Sequence, residues 1–513
     1  MAQPLQTATI SAPGFMGLNT QDSSLDLAQG FALVANNCVI DQYGRIGARK
    51  GWLPQHATLG ALSTAPVEAI AQLVVDDGTE YIVATGNNKL FKLVSGVLSE
   101  LSYGGGGTAP TITDSNWQIV SLNQCIYFFQ AGHNPLVFQP SVSTTTYRRV
   151  SEMVGYTGTV IDANVAVSAY GRLWVASTTT DKTVIAFSDI LAGQVWSTGT
   201  AGTLDVSTVW PAGSDTITGL AAHNGNLFIF GKNTILIYTG ATAPASMTLF
   251  DTITGIGCIA RDTIQNTGSD IIFLSDTGVR SVLRTIQEKS APFRDLSKNV
   301  RNDLMNAVNG EVAANIKSVY NPFESFYLIT MPVLKTVYCF DTRVALQDNS
   351  YRVTTWDDIE PTAFCFLRDR SMLIGKNGYI GKYTGYFDNT SSYRFQYFTN
   401  HTDLGQASVT SVLKKLSVVV IGGTNQYVAI KWGYDFTNNY YAQTVLIPTQ
   451  EVDYYGIGEY NVATYSPGTS LQTLVAYPSG SGKVVQTGYE SEIAGAALSI
   501  QRIEIQAKNG KLA

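Results

Sequence analysis

The residues in this chain that could do chemistry are few, and their spacing argues against each use. The acidic pair Asp76-Asp77 and the run Asp357-Asp358-Ile359-Glu360 offer the carboxyl groups that a glycosidase sets on either side of a sugar bond. Both lie at turn signals beside apolar runs, where Asp caps a turn and stays solvated. The histidines His56, His133, His223 and His401 stand one to a region, with no Ser, Cys or Asp arranged around them. His133-Asn134-Pro135 and His223-Asn224-Gly225 are tight-turn contexts. The glycine run Gly104-Gly105-Gly106-Gly107 lacks the following Lys-Ser/Thr and the helix of a phosphate loop, so it reads as a flexible loop. Ser275-Asp276-Thr277-Gly278 contains one Asp-Thr-Gly, whereas an aspartic protease brings two such loops together. The five cysteines, Cys38, Cys125, Cys258, Cys339 and Cys365, are far apart, with no CxxC or Cys/His ligand spacing. The sequence therefore predicts no catalytic, cofactor-binding or metal-binding residue and no enzymatic activity.

The elements that would have to position any such group are hairpins. Between Gly78 and Tyr383 one signature recurs seven times: a turn residue, three or four apolar residues, a second turn, and a further apolar pair or triple. The copies begin at Gly78, Asn123, Gly171, Gly225, Gly268, Phe323 and Asp369, a spacing expected of four-stranded propeller blades. A lone blade cannot bury both faces of its sheet, so several must pack face to face around an axis. The expectation is an all-β chain whose β-propeller has six or seven blades. Leu173, Trp174, Leu227, Phe228, Ile272 and Phe273 are predicted to be buried in it. Residues 295–308 are the exception: Leu296, Val300, Leu304 and Val308 fall on one helical stripe.

Three regions follow: an extended N-terminal arm at 1–58, the propeller at 59–398, and a C-terminal antiparallel β-sandwich-like domain at 399–513, where longer alternating strands begin. The arm is rich in Gly, Asn and Asp and reads as carrying at most one short strand or turn of helix. Its Phe15, Leu18, Phe31 and Trp52 need a partner surface, and deleting residues 1–40 is expected to leave the propeller folded but to impair assembly. The 513 residues carry 27 Tyr, 21 Phe and 47 Gly against 14% charged residues, which suits strands and Gly turns. A formal charge of −6 argues against a broad nucleic-acid-binding surface, which needs clustered Lys and Arg. Lys414-Lys415 and Arg148-Arg149 are isolated basic pairs and read as solvated strand edges. The unpaired cysteines suggest maturation in a reducing cytoplasm. The opening residues lack a signal-peptide pattern, and no apolar run reaches the roughly 18 residues of a membrane span, so stable membrane insertion is not expected.

The stretch from Pro13 to Trp52 resembles the opening of virion proteins of short-tailed bacteriophages, the tail nozzle family, also called tail tubular protein B or tail hub. Gly17-Leu18, Asn36-Asn37 and Gly44-Arg45-Ile46-Gly47-Ala48-Arg49-Lys50-Gly51 hold the places of that family's motifs. IGCIARDTIQNTGSDIIFLSDTGVRSV, beginning at Ile256, and ALSIQRIEIQAK near the C-terminus also resemble it. The resemblance implies a propeller with added β-domains and a homohexameric ring. That ring would continue the tail channel below the adaptor ring, carry tail fibres or tailspikes, hold the genome in and open during ejection. It implies a virion protein made in the host cytoplasm, with genomic DNA passing through without tight binding. Mild acidity suits such a conduit, because a wall that does not hold phosphates lets DNA slide. Gly104 to Thr108 and Gly456 to Gly458 are candidate gating loops. The alternative is a propeller that binds glycans or hydrolyses glycosides.

Overall fold

Each of the seven hairpins pairs as antiparallel strands within one blade. The computed structural model describes residues 5–113, 116–159, 161–211, 213, 215–287, 295–403, 409–437, 439–448 and 471–512. In blade one the hairpin Glu80–Gly86 and Lys89–Val94 is flanked by Val67–Val74 on one side and Val97–Glu100 on the other. Blades two, three and four repeat this order from Gln118–Leu122, Val165–Ala169 and Gly219–His223. Two-residue turns with both residues at positive φ, Tyr170-Gly171 (53° and 72°) and Asn224-Gly225 (49° and 78°), close the first hairpins of blades three and four. Their twist matches that of the strands they join. Leu173, Trp174, Leu227, Phe228, Ile272 and Phe273 are all buried, as expected.

Among the described residues the blades number seven. Blade five has three strands, Gln265–Asn266, Ile271–Ser275 and Gly278–Ser281. Its outer side is covered by residues 295–297: Leu296 N–H donates to the Val279 carbonyl at 2.9 Å, and Val279 N–H to Ser297 Oγ at 3.0 Å. The helix expected at 295–308 therefore starts later, as a 3-10 turn Lys298–Val300 followed by the α-helix Arg301–Asn309. Leu296, Val300, Leu304 and Val308 remain buried in one cluster with Leu274, Val279, Ile329 and Tyr338 of blades five and six. Blade six runs Lys317–Asn321, Phe326–Met331, Thr336–Asp341 and Arg352–Trp356. Blade seven takes three strands from 363–383 and its outer strand, Trp52–Pro54, from the N-terminal arm, with Trp52 opposite Tyr383. A closed ring needs its last blade tied to its first, and a strand from far upstream does this with backbone hydrogen bonds.

The arm is extended along the rest of the molecule and holds more strand than its composition suggests: Gln6–Ser11, Gly17–Leu18, Phe31–Asn36, Cys38–Ile40 and Ile46–Ala48. These complete an antiparallel sandwich with the C-terminal strands. In one sheet Leu498–Leu512 lies between Val409–Gly422 and Ile46–Ala48, and Gln6–Ser11 also pairs with it. In the other, Phe31–Asn36 pairs with Tyr393–Thr399, followed by Val485–Ile493, Gln426–Tyr434 and Tyr441–Ile447. Phe31–Asn36 also bridges to blade six at Thr355, so the two bodies share one continuous sheet. Trp52–Pro54, inside the expected arm, thus belongs to blade seven, and Tyr393–Thr399 crosses the expected boundary at 398/399. Phe15, fully buried, packs edge-on against Tyr397 at 5.7 Å; Leu18 and Trp52 are buried too. The chain is an all-β protein: a seven-bladed propeller, an extended arm and a C-terminal sandwich.

Candidate functional site

Three of the carboxylates singled out for glycosidase chemistry, Asp77, Asp357 and Glu360, are spent on structure. Asp77 caps its own turn, accepting from Thr79 N–H at 2.7 Å, and that bond holds its pKa below the ordinary value. Asp357 accepts from Asn36 Nδ2 at 2.6 Å and from Asn37 Nδ2. Glu360 pairs with Lys335 at 2.8 Å. Burial first, and then neighbouring Asp357, raises the pKa of Asp358.

Asp357 belongs to a joint built around Arg49, whose side chain is 0% exposed. The guanidinium donates in a fork to Asp388, 2.8 Å from Nη1 to Oδ1 and 2.6 Å from Nη2 to Oδ2. Its Nε donates to Asn37 Oδ1 at 2.9 Å, and its remaining donors reach the carbonyls of Lys50 and Asp357. It lies 4.0 Å over the Tyr393 ring, whose hydroxyl donates to the Arg49 carbonyl. Burial alone would lower the pKa of Arg49, but Asp388 outweighs it and the value is raised. Lys50 pairs with Glu324 of blade six at 2.5 Å. A Cβ on Gly51 would meet the Phe387 carbonyl oxygen at 1.9 Å, so only glycine lets the chain pass there. One short segment of the arm thereby fastens the sandwich to blade six, to the linker after blade seven, and to blade seven itself. Beside it Lys376 lies 5.1 Å from the Trp52 ring and donates to the Ile359 carbonyl; burial lowers its pKa to about 8.

A second buried ion cluster lies at the propeller axis. A cavity of about 290 Å³ is lined by the first strands of all seven blades, with Ile70, Gln118, Val167, Leu220, Gln265, Ser318 and Phe364 each from a different blade. At one end of it stands the 3-10 turn Arg261–Thr263. Asp262 accepts from Arg261 Nε at 2.7 Å and from Lys317 Nζ at 2.6 Å. Burial would raise the Asp262 pKa, but Arg261 and Lys317 prevail and hold it at about 2. The Arg261 guanidinium also reaches the carbonyls of Asn116, Trp117 and Asn164, at the starts of blades two and three. Beside it lies another hollow, lined by Asn164, Ser177, Lys182, Thr216 and Lys232. The two hollows share Arg261 and Asp262 in their walls, so this ion cluster stands between them.

The remaining singled-out residues are scattered. His56 is buried, accepting from Ile380 N–H at Nε2 (3.1 Å), so its Nδ1–H donates to the Thr58 carbonyl (2.8 Å); it braces blade seven. His133 meets Thr113 Oγ1 at 3.3 Å, His223 ends the first strand of blade four, and His401 lies 4.4 Å from the Phe436 ring, with burial lowering its pKa. Ser275 to Gly278 is the turn of blade five's hairpin, tied by Ser275 Oγ to the Gly278 carbonyl at 2.8 Å. Gly104 to Thr108 is pinned: Arg149 donates to the Thr108 carbonyl at 2.7 Å and Tyr103 to that of Gly106 at 3.1 Å. A Cβ on Gly105 would strike Glu152. Gly456 to Gly458 lie outside the described residues. Arg148 donates to Gln139, and Lys414-Lys415 lie where the register of Val409–Gly422 shifts against Leu498–Leu512. All five cysteines are free thiols and four are buried. Among the described residues no group of His, Cys, Asp and Glu could hold a metal ion, and no helix is long and apolar enough to cross a membrane.

No family model matches the chain, and no curated protein does. Among solved structures, it is similar to the WD40 domain of Neurospora crassa Pan2 (TM-score 0.38, 11% identity, covering 66% of this chain and 95% of that one). It is also similar to Kluyveromyces lactis Hsv2 (TM-score 0.31, 11% identity, 57% and 98% covered). A third is the extracellular domain of BT4673 from B. thetaiotaomicron (TM-score 0.32, 10% identity, 74% and 40% covered). The blade count rests on the strand order and on the ring of first strands, not on these likenesses.

The two ion clusters escaped the sequence reading as sites. A faint signal existed for each: Arg49 follows the small residues Gly47-Ala48, and Arg261-Asp262 is an adjacent opposite pair after the apolar Ile259-Ala260. A charge that ends up buried needs a buried partner. Nothing local points to Asp388 or Lys317 as that partner.

Proposed function

We propose that this chain is a structural virion protein of the tail nozzle type. In this reading a homohexameric ring continues the DNA channel below the adaptor ring of a short-tailed phage, carries fibres or tailspikes, retains the genome and takes part in its ejection. The observation that carries the reading is the use to which the resembling residues are put. Residues 44–51 form the Arg49 joint, and the stretch from Ile256 contains the Arg261–Asp262 pair. Both phrases therefore belong to a load-carrying frame rather than to a catalytic pocket, as a scaffold requires. In this reading the passage for duplex DNA lies between copies of the chain, since a hollow of about 290 Å³ on the propeller axis is too small for a duplex. With a net charge of −6, six copies present a wall that gives phosphates little to hold.

The test is the assembly itself. Purified protein, alone and mixed with the adaptor of its virion, should give six-fold rings by negative stain, and cryo-imaging should place them at the tail. A chain that stays monomeric under both conditions and is missing from virions refutes the proposal. The hydrolytic alternative needs free converging carboxylates, and those of Asp357 and Glu360 are already engaged; the glycan-binding alternative needs aromatic rings exposed around one face.

A further inference from the structure

The second hollow, beside the axial ion cluster, is chemically unlike the rest of this acidic chain. It encloses about 340 Å³ between blades three, four and five, and its charged lining is Lys182, Lys232, Arg261 and Asp262. Three cations thus face one carboxylate, and that carboxylate is already neutralised by Arg261 and by Lys317. Arg261 is itself fully committed, since each of its nitrogens donates to a protein oxygen. The lysines are not. Lys182 Nζ donates only to the Thr178 carbonyl among the described residues, and Lys232 Nζ has no side-chain partner there.

Uncommitted uncharged donors surround them. Asn164 Oδ1 accepts from Asn116 and from Arg261, which leaves its Nδ2 turned to no described acceptor. The hydroxyls of Ser177 and Thr216 line the same wall, and Ser177 is buried. Asp215, in the neighbouring turn, accepts from the backbone N–H groups of Thr216, Lys232 and Asn233. Asp181, beside Lys182, accepts likewise from Thr183 and Val184. Ile217, Ile259, Ala313 and Ala314 make up the apolar part of the wall.

We propose that this hollow binds a phosphate group. Two ammonium groups act as point charges for a dianion, and hydroxyl and amide donors can satisfy its oxygens. A singly charged carboxylate leaves one lysine unmatched, and an apolar ligand leaves both. The phosphate could be free or part of a nucleic-acid strand, since both offer the same oxygens. The inference stands on the single chain and does not depend on ring formation.

The experiment is titration calorimetry of the full chain with inorganic phosphate, with pyrophosphate, and with a ten-nucleotide oligo-dT lacking a terminal phosphate. The variant Lys182→Gln/Lys232→Gln is compared with Lys335→Gln, a surface lysine of another blade that serves as control. The expected result is saturable binding of at least one probe, weakened at least tenfold in the double variant and unchanged in Lys335→Gln. Preference for phosphate or pyrophosphate assigns a free anion, and preference for the oligonucleotide assigns a strand. No binding of any probe at millimolar concentration, or binding that the double variant leaves unaltered, overturns the proposal. Far-ultraviolet circular dichroism matching wild type shows that both variants fold, as exposed lysines on turns should allow.

Discussion

Replacing Arg49 by methionine tests whether the arm joint holds the molecule together. The substitution keeps most of the side-chain volume but removes the partner of Asp388, whose side chain is only 8% exposed. It also takes a donor from Asn37 Oδ1 and from the carbonyls of Lys50 and Asp357. Breaking a buried pair by removing one partner costs about 3–5 kcal/mol, because the remaining charge stays desolvated. Arg49→Lys should recover less than half of this, since an ammonium cannot fork onto Asp388 or stack flat on Tyr393. Pairing Arg49→Met with Asp388→Leu removes both charges and should cost less than the two single changes together, with a coupling of about 1–3 kcal/mol. Propeller and sandwich share a sheet, so one global transition is not assumed. Thermal unfolding should therefore be read together with hydrogen exchange in peptides spanning 46–54 and 384–399, where protection should fall first. An Arg49→Met protein within 1 kcal/mol of wild type, or a double variant as costly as the sum of the singles, would show that the joint carries no such load.

Five further outcomes are expected. Asp262→Asn should destabilise the propeller by about 3–5 kcal/mol in chemical denaturation, by leaving Arg261 and Lys317 facing each other without a counter-charge. The folded pKa of Asp262 is depressed from 3.8 to about 2, so its contribution is complete above about pH 4 and lost as pH falls through 2; melting curves should show this acid loss in wild type and lack it in Asp262→Asn. Trp174→Ala should cost about 3–5 kcal/mol, since the ring is 0% exposed and packs on Phe187 at 5.0 Å, and a cost under 1 kcal/mol would deny it a core role. Gly488→Ala places a Cβ 2.3 Å from the Phe398 ring and should lower stability by about 1–3 kcal/mol, with the Phe398–Tyr440 contact shifted in NMR spectra. Deleting residues 1–40 should now unfold the sandwich, because it removes Phe31–Asn36 from between blade six and Tyr393–Thr399; a truncated protein that retains wild-type proteolytic resistance beyond residue 393 contradicts that.

The propeller was legible because each blade is written in local signals. Turn pairs such as Asn224-Gly225 and the apolar runs beside them specify a hairpin within about fifteen residues, and seven repetitions leave few architectures. The helical stripe from Leu296 to Val308 was also local, although only tertiary contact shows that Leu296 and Ser297 instead stand in for a missing strand. Long-range pairing was not legible. Trp52–Pro54 does not name Ile380–Tyr383 as its neighbour, and Arg49 lies 339 residues from Asp388. Val485–Ile493 went unread for another reason: Gly488, Glu490 and Glu492 weaken its strand pattern. Gly488 makes room for Phe398, and Glu490 is held by Arg394 and Lys431. The lining of the two hollows, from the ion cluster to the lysines, draws single residues from many blades, so its charge exists only once the ring has closed. Local patterning determines which segments become strands and which side chains are apolar enough to bury. Which strands meet, and which buried charges find partners, depends on desolvation and packing between segments hundreds of residues apart, and only the folded chain decides it.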